Sequence, residues 1–431
     1  NPDSSPAASD SKGQDRLEFL RGNQAKEANN TGGTFRERAS VLGDLINSAP
    51  VYVAEPNFLY PDAAACGGTP STCYSAFKST HASRMPIIYV GGNDGMLHGF
   101  IPEESSASAG DEGTEVVAYV PNFLMSDLNQ LTSQDYSHRF YVDGNPTVSD
   151  VFIDTTGADA WHTVLVGGAR GGGQGYFALD VTDPINFATV KSAAQNATNA
   201  QKLALWEFTD ADDADLGYTY SQPAIAKMAN GEWAVIFGNG YGSTASDGNV
   251  GDGDAVLYIA FLEGGLDGVW TVGTDFIKID TGEGSTAVPN GMSTPAPVDT
   301  DGDGLVDAIY AGDLYGNMWK VDVSSTNTSL WDNSSKRYKL FSAVDDATPS
   351  NTQPITVRPD VGAHPLGGVM VYFGTGKYYE TGDNNPSNYG EQTFYAIRDQ
   401  GSTVSGRSDL QEQTVIQQAT ATGGVFRVTD K

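Results

Sequence analysis

The feature that most constrains this chain is a unit that recurs five times along its 431 residues. Each unit opens with a proline beside short apolar residues: Ala49-Pro50-Val51, Asn145-Pro146-Thr147, Gln222-Pro223-Ala224, Thr294-Pro295-Ala296 and Gln353-Pro354-Ile355. An apolar run ending in glycine follows, at 87–91, 163–167, 234–238, 307–312 and 369–374. A glycine-rich turn then leads to a second strand carrying His98, Phe177, Tyr258, Trp319 or Tyr395, spaced by 79, 81, 61 and 76 residues. Each gap has room for a further strand, such as 116–120, 203–208 or 276–279. Repeated four-stranded units are the pattern of propeller blades. The glycine-ended runs are apolar almost throughout, as strands covered on both faces are. The predicted fold is therefore all-β, a modified β-propeller of four-stranded blades with long loop insertions.

Five blade signatures are visible. A closed ring takes about 4–8 blades, so either five close it or sequence beyond Lys431 completes it. Residues 1–34 read as an N-terminal arm with a short helix at 15–23, and 35–431 as the propeller domain. The composition agrees with strands and polar turns. Glycine is 51 of 431 residues, and only 18% are charged. The formal net charge of −30 repels nucleic acid and anionic lipid and favours divalent cations. No apolar run approaches the roughly 18 residues that would span a membrane.

The strongest local signal is Asp299-Thr300-Asp301-Gly302-Asp303-Gly304-Leu305-Val306-Asp307. Ca²⁺ takes about 6–8 oxygen ligands, and alternate carboxylates at positions 1, 3 and 5 converge when the chain curls. Asp299, Asp301 and Asp303 hold those positions, Leu305 offers its carbonyl, and Asp307 closes the loop. An EF-hand would place Glu where Tyr310 stands, so this reads as a calcium loop inside a blade. Two other acidic stretches, 247–254 and 210–215, read as solvated turns. Among the five histidines no metal or catalytic pairing is recognisable, and there is no nucleophile elbow. His98 shares its repeat position with aromatic residues, which suggests a packing role.

Cys66 and Cys73 lie in a loop rich in small residues, with only His81 nearby to complete a metal site. A local disulfide is the favoured reading. It would stabilise the fold by about 2–3 kcal/mol in the chain-entropy model and imply an oxidising compartment. Two free thiols in a reducing compartment are the alternative.

The segment Phe35-Arg36-Glu37-Arg38-Ala39-Ser40-Val41-Leu42-Gly43-Asp44-Leu45-Ile46-Asn47-Ser48-Ala49-Pro50-Val51-Tyr52-Val53 resembles the opening of the C-terminal domain of the PilY/PilC family of type IV pilus tip adhesins and assembly factors. The turn 91–100 and the stretch 299–322 are similar to that family too. The resemblance implies a calcium-binding pilus biogenesis factor or tip adhesin domain on the pilus tip or bacterial surface, exported through the periplasm. It implies minor pilins or tip subunits as partners, with host or surface ligands; the lack of a recognisable nucleophile, base and orienter set predicts no enzymatic activity. Ca²⁺ occupancy at Asp299, Asp301, Asp303, Leu305 and Asp307 would be tied to extension against retraction, twitching and attachment. A quinone-dependent dehydrogenase-like or glycan-active propeller enzyme, or a structural spacer with a stabilising ion, are the alternatives. For the cysteines, mass spectrometry of secreted protein without reductant should find the peptide linking Cys66 to Cys73; two free thiols there would refute the pairing.

Overall fold

The computed structural model describes residues 11–62, 72–102, 112–184, 202–244, 249–347, 350–388, 390–422 and 424–429. Five antiparallel sheets follow one another along the chain. The first holds β1 (Val51–Val53), β2 (Ile87–Gly91), β3 (Leu97–Phe100) and β4 (Glu115–Tyr119). The second holds β5 (Thr147–Asp154), β6 (Asp159–Gly168), β7 (Gly175–Asp180) and β8 (Ala204–Thr209). The third holds β9 (Ala224–Lys227), β10 (Trp233–Gly238), β11 (Asp254–Phe261) and β12 (Phe276–Gly284). The fourth holds β13 (Ala296–Val298), β14 (Ala308–Gly312), β15 (Asn317–Asp322) and β16 (Arg337–Ser342). The fifth holds β17 (Asp360–Ala363), β18 (Val369–Gly374) and β19 (Phe394–Asp399), and β20 (Val415–Ala421) pairs with β21 (Gly424–Thr429) as a separate hairpin. The first strands, β1, β5, β9, β13 and β17, contact one another in that order.

The five glycine-ended apolar runs are the second strands of the five sheets, and β10 and β14 are buried at every residue. Sheets stack face to face, so both sides of these strands are covered. Between the second and third sheets, Phe208 meets Phe237, Tyr258, Trp270 and Phe276 edge-on, with ring centroids 5.1–5.7 Å apart. Between the third and fourth, Ile236, Ile259, Ile309, Val321 and Trp331 form the seam. Burying each such side chain contributes about 1.5–3 kcal/mol.

The terminal glycines have a steric reason. A Cβ on Gly91 would lie 2.2 Å from the Val142 carbonyl oxygen, and one on Gly238 2.4 Å from that of Met292. On Gly312 it would lie 2.2 Å from Ile355 Cγ2. In each case the chain about to enter the next sheet passes over the end of the second strand. Side chains beside the prolines then tie sheet to sheet. The Ala49 N–H donates to Asn145 Oδ1 (2.7 Å), the Thr147 hydroxyl to the Pro223 carbonyl (2.8 Å) and the Gln222 N–H to Thr294 Oγ1 (3.0 Å). Proline has no N–H to leave unpaired at this crowded inner rim.

Three expectations are corrected. The first helix, α1, spans Gly13–Leu20 instead of 15–23. Gly22 ends it at φ +91°, with the Arg21 and Gly22 N–H groups folding back onto the Leu17 and Phe19 carbonyls (3.1 and 3.0 Å). α1 is pinned to the first sheet's surroundings by Phe19, edge-on to Phe35 at 5.7 Å. Secondly, the fifth sheet has three strands among the described residues. The chain leaving β19 is drawn to the fourth sheet instead, where the Val404 N–H donates to the Leu340 carbonyl (2.8 Å) and Arg407 to the Val344 carbonyl (3.1 Å). Thirdly, His98 does more than pack. It is 2% exposed, and its ring nitrogens lie 2.9 Å from Asp94 Oδ1 and 2.5 Å from Glu115 Oε1. Burial alone would lower its pKa, but the hydrogen bonds and charges of Asp94 and Glu115 push it up to about 9. A raised folded-state pKa gives stability that is complete below the unfolded value and lost as pH rises through the folded one. Thermal melts should therefore show wild type losing stability between about pH 6.5 and 9, and His98→Phe should lack that pH-dependent loss.

Candidate functional site

The loop between β13 and β14 carries the acidic motif. Its alternation of Asp with Gly gives it a tight curl, with Gly302 and Gly304 at φ +84° and +88°, where a Cβ is strained. Asp299 sits at the hub. Its carboxylate accepts the Gly302 N–H at 2.6 Å and the Gly304 N–H at 2.8 Å. Burial would raise its pKa, but these backbone donors outweigh that and hold it below the usual carboxylate range. Asp301 Oδ1 accepts the Asp303 N–H (3.2 Å), and Asp307 Oδ2 accepts both the N–H and the hydroxyl of Thr300 (2.8 and 2.6 Å).

The carboxylates of Asp299, Asp301 and Asp307 come within 4.8 Å of one another. Asp303 is not part of that grouping; its Oδ1 accepts the Leu305 N–H at 2.8 Å. Three convergent carboxylates form an all-oxygen set of the kind hard cations take, and no soft ligand stands among them. The loop is anchored at its far end. Val306 is 5% exposed within the seam between the third and fourth sheets. Its N–H donates to the Lys227 carbonyl (3.0 Å), and the Asp307 carbonyl accepts the Val323 N–H (2.8 Å).

A second acidic grouping was not legible in sequence. Asp252 and Asp254, at the start of β11, are joined by Asp280 of β12, all within 4.8 Å. Beside them Lys278 pairs with Asp213 (2.9 Å) and Asp215 (2.5 Å), so two stretches read as separate solvated turns become neighbours. The signal was the spacing of Lys278 and Asp280 two apart on one strand, which places both on one face. Residues 245–248 of the first stretch lie outside the described residues. Of the cysteines, Cys73 is the N-cap of a helix at Tyr74–Thr80, here α2, and Cys66 lies outside the described residues.

Stacked antiparallel sheets entered through proline segments, with an acidic loop inside the fourth, define a β-propeller. A sequence model of the PilY1 β-propeller domain matches residues 42–427, and the chain belongs to that family. The type IV pilus biogenesis factor PilY1 of Pseudomonas aeruginosa strain PAK is 39% identical over 98% of this chain and 34% of its own length. A PilY1 homolog of Xylella fastidiosa is 38% identical over 93% of this chain and 25% of its own. The chain thus spans about a third or less of the length of these relatives. The crystal structure of the Pseudomonas aeruginosa PilY1 C-terminal domain matches with a TM-score of 0.66 at 33% identity, covering 88% of this chain and 73% of that one.

The second grouping has a pH signature. Burial, then the charges of Asp252 and Asp280, push Asp254 up to about 6. A carboxylate raised in the folded state costs stability once it must ionise, so stability falls as pH rises from about 4 to 6. In chelator-treated protein, Asp254→Asn should melt higher than wild type at pH 7, with the gap closing near pH 4.

Proposed function

We propose that this chain is a calcium-binding domain of a type IV pilus biogenesis factor and tip adhesin. Its loop would bias pilus extension against retraction, and so twitching and attachment. The observation that carries the reading is the convergence of Asp299, Asp301 and Asp307 in a chain whose relatives are named type IV pilus biogenesis factors. Asp303 joins the set by turning its carboxylate away from the Leu305 N–H, and Leu305 contributes its carbonyl. Bound Ca²⁺ supplies the positive charge that lets these carboxylates stay close without mutual repulsion.

The protein's own part is mechanical. Residues 299–305 tighten about the carboxylates, and Val306, between the ligands Leu305 and Asp307 and wedged in the seam, transmits that order to the third sheet through Lys227. Loss of the ion would loosen the loop and this contact without unfolding the stacked sheets, whose cores are much larger. The domain acts by binding and not by chemistry. Its partners are minor pilins or tip subunits, with host or surface ligands, at the pilus tip or bacterial surface. That exported setting is also the one in which Cys66 and Cys73 pair. No helix among the described residues is long and apolar enough to cross a membrane.

Isothermal titration of the chain with Ca²⁺ should give one loop-dependent event with a Kd between about 10⁻⁷ and 10⁻³ M. Asp307→Ala, which removes the closing carboxylate and both Thr300 contacts, should weaken it by at least about tenfold, near 1.4 kcal/mol. Introduced into the full-length pilus factor, it should change surface pilus number and twitching. Absence of Ca²⁺ uptake up to millimolar concentration would end the calcium reading. Uptake with unchanged pili would reduce the ion to a stabiliser.

A further inference from the structure

An open depression of about 820 Å³ lies between the entry to β17, near 351–354, and the segments 376–388 and 390–392. Its lining mixes polar side chains with two apolar ones, Pro354 and the ring of Tyr378. Tyr378 stands 74% exposed, and its ring has no aromatic or cationic neighbour among the described residues. Asn351, Thr352, Asn388 and Gln392 share the lining with it, as do the acids Asp345, Asp383 and Glu391. Asn351 is held by donating from Nδ2 to Asp345 Oδ2 (2.8 Å), and Asn388 by donating to the Gly382 carbonyl (2.9 Å). Neither amide oxygen receives a donor from the chain among the described residues.

The walls are fixed from behind. Asp345, 7% exposed, also accepts the Asn351 N–H (2.7 Å), and Asp383, 9% exposed, accepts the Tyr379 and Glu380 N–H groups (3.0 and 2.9 Å). Gln353, 1% exposed, donates to the Glu391 carbonyl (2.7 Å) and accepts the Tyr395 hydroxyl (2.7 Å). A site held this way loses little order on binding. The one lysine in the lining, Lys377, is already paired with Glu380 and Asp383. An anionic ligand therefore finds no spare positive charge here.

We propose that this depression binds neutral oligosaccharides of hexose or N-acetylhexosamine units, with Tyr378 as the stacking platform. A pyranose ring presents an apolar C–H face that lies flat on an exposed aromatic ring. Its equatorial hydroxyls need adjacent donors and acceptors, which side-chain amides supply together. The volume falls in the range of about 300–1,000 Å³ typical of small-ligand sites. The inference names a ligand class for the attachment part of the proposed function and does not depend on the calcium loop.

The test is a glycan array on the chain, followed by titration with maltotriose and N,N′-diacetylchitobiose. Binding of neutral glycans is expected, weakened at least about tenfold by Tyr378→Ala and by Asn388→Ala and largely retained by Tyr378→Phe. Calcium titration of the same variants should match wild type. That control separates failure of this site from failure of the loop, and it shows that the variants are folded. A blank array, binding confined to anionic glycans or peptides, or neutral-glycan binding indifferent to Tyr378→Ala would overturn the proposal.

Discussion

The structure depends on how closely the segment leading into one sheet can cross the end of its predecessor's second strand. At Gly91, Gly238 and Gly312 a single added carbon would sit 2.2–2.4 Å from a neighbouring atom. That distance lies well inside van der Waals contact, so any side chain there would force two sheets apart. Because the approach is allowed, the inner strands β1, β5, β9, β13 and β17 succeed one another closely enough for Asn145, Thr147 and Thr294 to bond across the gaps. The faces behind them then close on aromatic and branched side chains. Core packing is a consequence of this contact geometry, and it leaves loops at both ends of each sheet free to carry other chemistry.

The acidic loop gains its meaning from that frame. Four aspartates in nine residues would be an unremarkable surface turn if the turn hung free. Here the loop is bracketed by two short strands, and Val306 is buried in a seam between sheets. Order in the carboxylates is therefore coupled to the packing of two blades. The second acidic grouping differs: the neighbouring Lys278 is taken up by Asp213 and Asp215, leaving Asp252, Asp254 and Asp280 in mutual repulsion. Two clusters of the same residue type thus follow different rules because their neighbours differ.

The sequence was most legible where residue type and chain geometry coincide. The glycine-ended runs marked the second strands to within a few residues, since a strand apolar on both faces has few other environments. The motif from Asp299 to Asp307 was legible because a loop that curls around one centre needs its ligands on alternate residues. His98 was read as a packing residue because its repeat position is otherwise aromatic. The two acids that flank it come from a turn and from β4, and only folding brings Glu115 within 2.5 Å. The three-stranded fifth sheet was missed for a similar reason, since the pull of Leu340 and Val344 on the chain after β19 is a long-range contact with no local signature.

By itself, then, the sequence determined an all-β repeat, the strands that its apolar runs and glycines demand, and one loop with the spacing of a cation site. These follow from local chemistry, in which the side-chain period of a strand and the curl of a short loop are set by adjacent residues. Only the tertiary structure decided which loop carboxylates meet and that Asp303 stands apart. It alone joined Asp280 to Asp252 and Asp254 and raised Tyr378 over a polar depression. Each of those depends on residues far apart in the chain whose distance is fixed by how the sheets stack.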